Sequence, residues 1–175
     1  MFTDLVGSTE MRSRVGEDAA EALRVVHDQV LTDAIGANGG QVIKHLGDGM
    51  MATFTSAAGA VAAAVAMHQE LDLRNRRSDA ERMVIRVGIS IGDVTFDGDD
   101  CFGLPVVEAQ RLEASAEPAT IRCAEMVMLM SRGRGGHEFR SLGELELKGL
   151  AEPLAACEVL WSPIAEPESP NVELG

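Results

Sequence analysis

Positive charge is scarce in this chain. Lysine and arginine number 15 against 28 aspartates and glutamates, a formal net charge of -13. Such a surface repels a phosphate backbone, which excludes non-specific nucleic-acid binding. An anionic small substrate then needs a locally positive site or a bound metal. Cysteine is equally sparse: Cys101, Cys123 and Cys157 show no CxxC spacing. That excludes a disulfide scaffold and a thiolate zinc site. It suits a reducing compartment, so a cytoplasmic location is expected. Long apolar runs are missing as well. The longest, Ala57–Met67, holds 11 residues with Gly59 counted, whereas a membrane span needs ~20. The opening MFTDLVGST lacks the basic and apolar regions of a signal peptide. Internal repeats are absent. No GxGxxG follows a strand-like segment, which argues against a doubly wound dinucleotide fold.

What remains is an ordinary globular composition, 46% hydrophobic and 25% charged over 175 residues. At ~150 residues per domain this is one domain, expected over 1–161. Prolines and glutamates crowd 162–175, which predicts a disordered tail or linker. Strand-like sequence begins at Phe2, which points to further domains in a longer chain. Phe2–Val6 reads as a short buried strand, with Ser8 and Thr9 as N-caps of a helical turn. From Glu17 a longer helix carries Leu23, Val26, Val30 and Ala34 on one stripe. Asn38-Gly39-Gly40 stops it. Gln41–His45 and Met50–Phe54 read as strands joined by the tight turn Leu46–Gly49. Ser56 to Asn75 is an Ala-rich helix. Met83–Ile91 is a strand, continued after a bend at Gly92 by Val94–Phe96, with a turn at Asp97–Asp100. Pro105 opens a helix to Ala114. Thr120–Cys123 is a strand and Ala124–Met130 a short helix. Three short strands close the domain, Phe139–Leu142, Glu144–Leu147 and Ala155–Trp161. This interleaving predicts an α+β fold with a mixed, mainly antiparallel sheet covered by helices on one side. It is closer to a ferredoxin-like βαββαβ core than to a doubly wound sheet.

Two carboxylates stand out. Asp4 sits inside the apolar run Phe2-Thr3-Asp4-Leu5-Val6. An unpaired carboxylate there costs several kcal/mol to bury, so something must compensate it. Asp48 lies between Gly47 and Gly49, where glycines let the backbone approach a ligand. Asp-Gly is also a common hairpin turn, so a purely structural role for Asp48 competes with a functional one. Two carboxylates converging at a sheet end suit Mg²⁺, which takes oxygen ligands and shares substrate phosphates. Two such ions clamp the attacking and leaving oxygens of a phosphoryl transfer. The four histidines, His27, His45, His68 and His137, show no metal spacing and read as structural.

Phe2-Thr3-Asp4-Leu5-Val6-Gly7-Ser8-Thr9 followed by Lys44-His45-Leu46-Gly47-Asp48-Gly49 resembles the class III nucleotidyl cyclase catalytic domain. Ile91-Gly92-Asp93-Val94 is similar to that family's central strand. Phe102-Gly103 through Arg111-Leu112 is similar to its FG…VN..ARL helix, and Leu147-Lys148-Gly149-Leu150 to its late LKG strand. The resemblance runs from residue 2 to about 161, and the order and spacing of the motifs make it specific. It implies a head-to-tail homodimer with two shared sites. Asp4, Asp48 and the main-chain carbonyl of Leu5 match the ligands of two Mg²⁺ or Mn²⁺ ions. Lys44 and Asp100 match the purine-reading positions contributed by the other subunit. Arg111 matches the arginine that stabilises the transferring phosphate, and Lys148 the lysine that contacts the triphosphate. The crowded turn leaves Asp99 as the alternative to Asp100.

Hydrogen-bond chemistry adds a base identity. Adenine offers an acceptor at N1 and a donor at N6. Lysine supplies only donors and ionised aspartate only acceptors, so the pair Lys44 and Asp100 is complementary to adenine. Guanine would face both with like partners, a mismatch costing orders of magnitude. The expected substrate is therefore ATP, and the expected products are 3′,5′-cyclic AMP and pyrophosphate. One departure is clear: the family's ribose-orienting Asn is Val107 here. Loss of such a contact can cost ~10²-fold in rate. Gln110, three positions on, reaches the same helix face. Three readings compete with an active adenylyl cyclase. One is a nucleotide-binding regulatory domain without catalysis, which Val107 favours. Another is a guanylyl cyclase, which Lys44 and Asp100 oppose. The last is a dimerisation module of a larger signalling protein.

Overall fold

Strands and helices alternate as the sequence predicts, and the first four strands already fix the architecture. The computed structural model describes residues 1–165. The elements in that half are β1 (Phe2–Leu5), α1 (Ser8–Val15), α2 (Glu17–Ala37), β2 (Gly40–His45), β3 (Met50–Phe54), α3 (Ala57–Arg77) and β4 (Ile85–Ile89). Their strands lie in the order β2-β3-β1-β4, all antiparallel. This is the expected ferredoxin-like βαββαβ core. A small hairpin follows, β5 (Thr95–Asp97) and β6 (Asp100–Phe102), then α4 (Leu104–Ser115), β7 (Ile121–Ala124) and α5 (Glu125–Ser131). β8 (Glu138–Leu145) and β9 (Leu154–Leu160) end the series. β7 joins β4 in parallel through the α4 crossover. β9 and β8 extend the edge antiparallel, giving a seven-stranded sheet.

The strand pleat divides side chains between two faces. Leu5, Ile85, Val87 and Ile89 enter the main core with Leu31 and Ile35 of α2 and Val61, Ala64 and Met67 of α3. The other face is not bare. A Cβ placed on Gly88 would meet Ala109 O at 2.1 Å and Glu113 N at 2.3 Å. α4 therefore lies directly on β4 from the opposite side, over a second cluster of Phe2, Met51, Cys101 and Ala109. The expectation of helices on one side only is corrected here. Its physical reason is Gly88, whose missing side chain makes room for a helix backbone.

Other differences are local. The buried stripe of α2 runs Leu23, His27, Leu31, Ala34. Val26, assigned to that stripe from its spacing, is exposed. Val94–Phe96 does not continue the central strand. Thr95–Asp97 instead pairs with Asp100–Phe102 in a separate ribbon. The two strands expected at 139–142 and 144–147 are one, β8, with a register shift between Ser141 and Gly143. Gly143 there has φ 69°, the left-handed conformation a bulge places on glycine. Leu147–Leu150 is a turn rather than a strand, closed by the Leu150 N–H donating to Leu147 O at 3.1 Å. The first residues of the expected tail are held on α3. Gln69 donates to Ser162 O and Arg76 to Ile164 O, each at 2.9 Å. The remainder of that expectation lies outside the described residues. Cys101, Cys123 and Cys157 are free and buried. No helix among the described residues is long and apolar enough to cross a membrane.

Candidate active site

The β2–β3 hairpin tip is latched onto β1 by close backbone packing. A Cβ on Gly49 would stand 1.9 Å from Thr3 O, so only glycine fits. The Leu5 N–H donates to Asp48 O at 2.9 Å, and the Leu46 N–H to Gly49 O at 2.8 Å. The Met50 N–H donates to Thr3 Oγ1 at 2.9 Å. These bonds bring Asp4, Leu5 and Asp48 to one end of the sheet. Ser8 does not cap α1: the residue before the helix is Gly7, at φ 68°. Its hydroxyl instead donates to Asp48 Oδ2 at 2.5 Å, which orients that carboxylate.

The group that compensates Asp4 is Arg86. The two face each other across the β1–β4 ladder. Arg86 Nε donates to Asp4 Oδ2 at 3.1 Å, and Nη2 donates to the same oxygen. Behind the pair stands Glu113 of α4, its Oε1 3.5 Å from Arg86 Nε. Burial, and then the neighbouring charge of Asp4, pushes the Glu113 carboxyl up to about 7. Neither Arg86 nor Glu113 was singled out from sequence. Arg86 carried a usable signal, since a charge inside the apolar run Met83–Ile91 is as anomalous as Asp4 in its strand.

The donor set fits a hard divalent cation. Its members are two carboxylates and a main-chain carbonyl, all oxygen. Among the described residues no three His, Cys, Asp or Glu side chains group to hold a metal ion. A cation on Asp4 and Asp48 would thus draw its further oxygens from main chain, water and substrate phosphate, the usual habit of Mg²⁺.

The purine-reading candidates also meet. Lys44 Nζ donates to Asp100 Oδ2 at 2.5 Å, joining β2 to β6. The Cys101 N–H donates to Asp100 Oδ1 at 2.8 Å. Lys44, and then that N–H, hold the Asp100 carboxyl below the usual carboxylate range. It is Asp100, not Asp99, that Lys44 engages. Lys44 and Asp48 share one hairpin yet bond to different neighbours.

Arg111 and the Lys148 turn form a third group. Arg111 Nη2 lies 3.4 Å from the position a Cβ would take on Gly149. Its Nε is buried without a hydrogen-bond partner. Two residues along a helix turn its surface by roughly 200°. Arg111 and Glu113 therefore lie on opposite sides of α4, and only Glu113 faces Asp4 of its own chain. Val107, at the Asn position, is exposed, and so is Gln110.

Residues 1–158 match the family model described as adenylate and guanylate cyclase catalytic domain. The chain is 32% identical over 174 residues to the Rhizobium meliloti protein called "Putative adenylate cyclase 3", covering 98% of this chain and 29% of that one. It thus spans under a third of that relative's length. Among solved structures it superposes on the adenylate/guanylate cyclase/hydrolase from Silicibacter pomeroyi with a TM-score of 0.77 and 31% identity, covering 90% of this chain and 92% of that one. The adenylyl cyclase CyaB from P. aeruginosa shares the fold, with a TM-score of 0.79, 24% identity and 92% of each chain covered. With the family model spanning nearly all of it, the chain belongs to the adenylate and guanylate cyclase catalytic domains.

Proposed function

We propose that this domain is an adenylyl cyclase, converting ATP to 3′,5′-cyclic AMP and pyrophosphate at two sites shared by a head-to-tail homodimer. The observation that carries the choice of ATP is the Lys44–Asp100 pair. It presents a donor and an acceptor side by side, as the adjacent N1 and N6 of adenine require. Sharing of the sites is supported by α4. Arg111 turns away from the Asp4 of its own chain, so a phosphate beside that Asp4 is better met by a partner's arginine.

In this reading Asp4, Leu5 O and Asp48 would hold two Mg²⁺ or Mn²⁺ ions, which would supply Lewis-acid chemistry to the ribose 3′-hydroxyl and counter-charge to the departing pyrophosphate. Ser8 fixes the Asp48 rotamer. Lys44 donates to N1 and Asp100 accepts from N6, which places the base. Arg111 offsets charge on the α-phosphoryl, and Lys148 binds the leaving phosphates. The 3′-hydroxyl gives its proton to solvent water, its oxygen attacks the α-phosphorus in line, and the bond from that phosphorus to the α–β bridging oxygen breaks to release pyrophosphate. Positioning and charge stabilisation supply the rate, with no covalent intermediate.

Val107 favours a second reading, a nucleotide-binding regulatory domain without turnover. The test is cyclic AMP formation from ATP with Mn²⁺ or Mg²⁺, beside Asp48→Ala and a GTP control. Product from ATP that falls at least ~10²-fold in the variant is the expected result. A dimeric, ATP-binding protein that makes no product with either metal leaves the second reading.

A further inference from the structure

We infer that Arg86 is a movable counter-ion, held on Asp4 while no divalent cation is bound and received by Glu113 when a cation takes Asp4. The inference rests on the metal-site reading of Asp4 and deepens it.

Three observations carry it. Both donors of Arg86 converge on a single oxygen, Asp4 Oδ2, so the guanidinium competes with a cation for the charge of that carboxylate. Glu113 Oε1 stands 3.5 Å from Arg86 Nε, within ion-pair range. That same oxygen is buried without a hydrogen-bond partner. A buried carboxylate oxygen lacking a donor is rare and calls for an explanation. Here it is an acceptor waiting for a donor that is already adjacent. Nor can Glu113 be displaced easily: a Cβ on Gly88 would stand 2.8 Å from its Cβ, so α4 is seated hard on β4 at this residue.

The motion required is small. A charge-assisted N–H···O contact closes at about 2.7–2.9 Å, so Arg86 Nε has under ~1 Å to travel. The driving force is electrostatic. A divalent ion and a guanidinium on one carboxylate repel, while the adjacent Glu113 carboxyl, ionised once Arg86 closes on it, receives the guanidinium without its leaving the site. Removing that carboxyl should strand Arg86 on Asp4 and make it a standing competitor of the metal. Arg86 and Glu113 are positioning residues in this scheme.

The test is Mn²⁺ binding to the purified protein, measured by calorimetry with no nucleotide. Glu113→Gln should weaken Mn²⁺ binding by about 10-fold or more, the scale of a lost outer-shell partner. In an Arg86→Met background the same substitution should matter less than ~2-fold, because the competitor is gone. If Glu113 acted only through its own charge on the ion, the loss would be equal in both backgrounds, which overturns the inference. Equal affinity for the wild type and Glu113→Gln also overturns it and leaves the metal site standing. A wild type that binds no Mn²⁺ removes the metal reading and this inference together. A second readout needs no substitution at Glu113. The Arg86 Nε–H resonance, assigned by its loss in Arg86→Lys, should shift when Mg²⁺ is added to the wild type. A resonance that stays in place through saturation overturns the exchange.

Discussion

Lys44 and Asp100 satisfy each other in the isolated chain. If the pair reads adenine as proposed, the incoming base must open that ion pair and take one bond to each member. Removing either member leaves the other without its partner, which sites that read polar groups punish heavily. Asp100→Ala should therefore lower kcat/KM for ATP by about 10²-fold and narrow the preference for ATP over GTP. Parallel kinetics with the two nucleotides check this, and an unchanged ratio would separate Asp100 from base reading. Asp4 and Asp48 could be singled out because they are out of place, one in an apolar strand and the other between two glycines, whereas Lys44 and Asp100 drew notice only through the family resemblance. Glu113 gave no such signal. Glutamate is an ordinary helix residue, and only the close seat of α4 on Gly88 turns it inward. Ser8 was misassigned because a hydroxyl ahead of a helix usually caps it, whereas here a carboxylate from a distant hairpin claims it.

Elements were legible where periodicity is long and turns are sharp. α2, α3 and the β2–β3 hairpin lie where their patterns put them. β7 and β9 also fall within a residue of their expected bounds, but the β5–β6 ribbon and β8 do not, because three-residue strands and a bulged edge carry too little pattern to fix register. Packing between elements was also invisible from sequence, and His68 is the instance with a consequence. This α3 residue is buried and stacks on Trp161, ring centroids 5.1 Å apart. The Trp161 indole in turn donates to Ala119 O at 2.9 Å. Burial pushes the His68 pKa down to about 4. Unfolded, the same imidazole takes a proton below ~6.5. Between those values the unfolded state binds more protons, so stability falls as pH drops. At pH 5 the loss is about 2 kcal/mol. Urea unfolding at pH 7 and pH 5 measures it, and His68→Phe keeps a ring against Trp161 while abolishing the titration. The wild type should lose about 2 kcal/mol more than the variant between those pH values. Equal losses would show that His68 is not held neutral.

At the scale of the whole molecule the question is whether one chain holds a complete site. α4 separates the groups, with Glu113 facing Asp4 and Arg111 facing the Lys148 turn. If each site takes its carboxylates from one chain and its arginine from another, two dead variants should revive each other. Asp48→Ala homodimers have both carboxylate sets broken, and Arg111→Ala homodimers lack both arginines. A mixed dimer has one site broken twice and one fully intact. Random pairing makes about half the dimers mixed, so about a quarter of all sites are restored. Co-expressed or subunit-exchanged variants should therefore form cyclic AMP at about a quarter of the wild-type rate, with each variant alone near background. A mixture that stays at background, in a preparation shown to contain mixed dimers, would mean that Arg111 serves the carboxylates of its own chain. The two faces of α4 would then have to converge within one subunit, against the turn of the helix between residues 111 and 113.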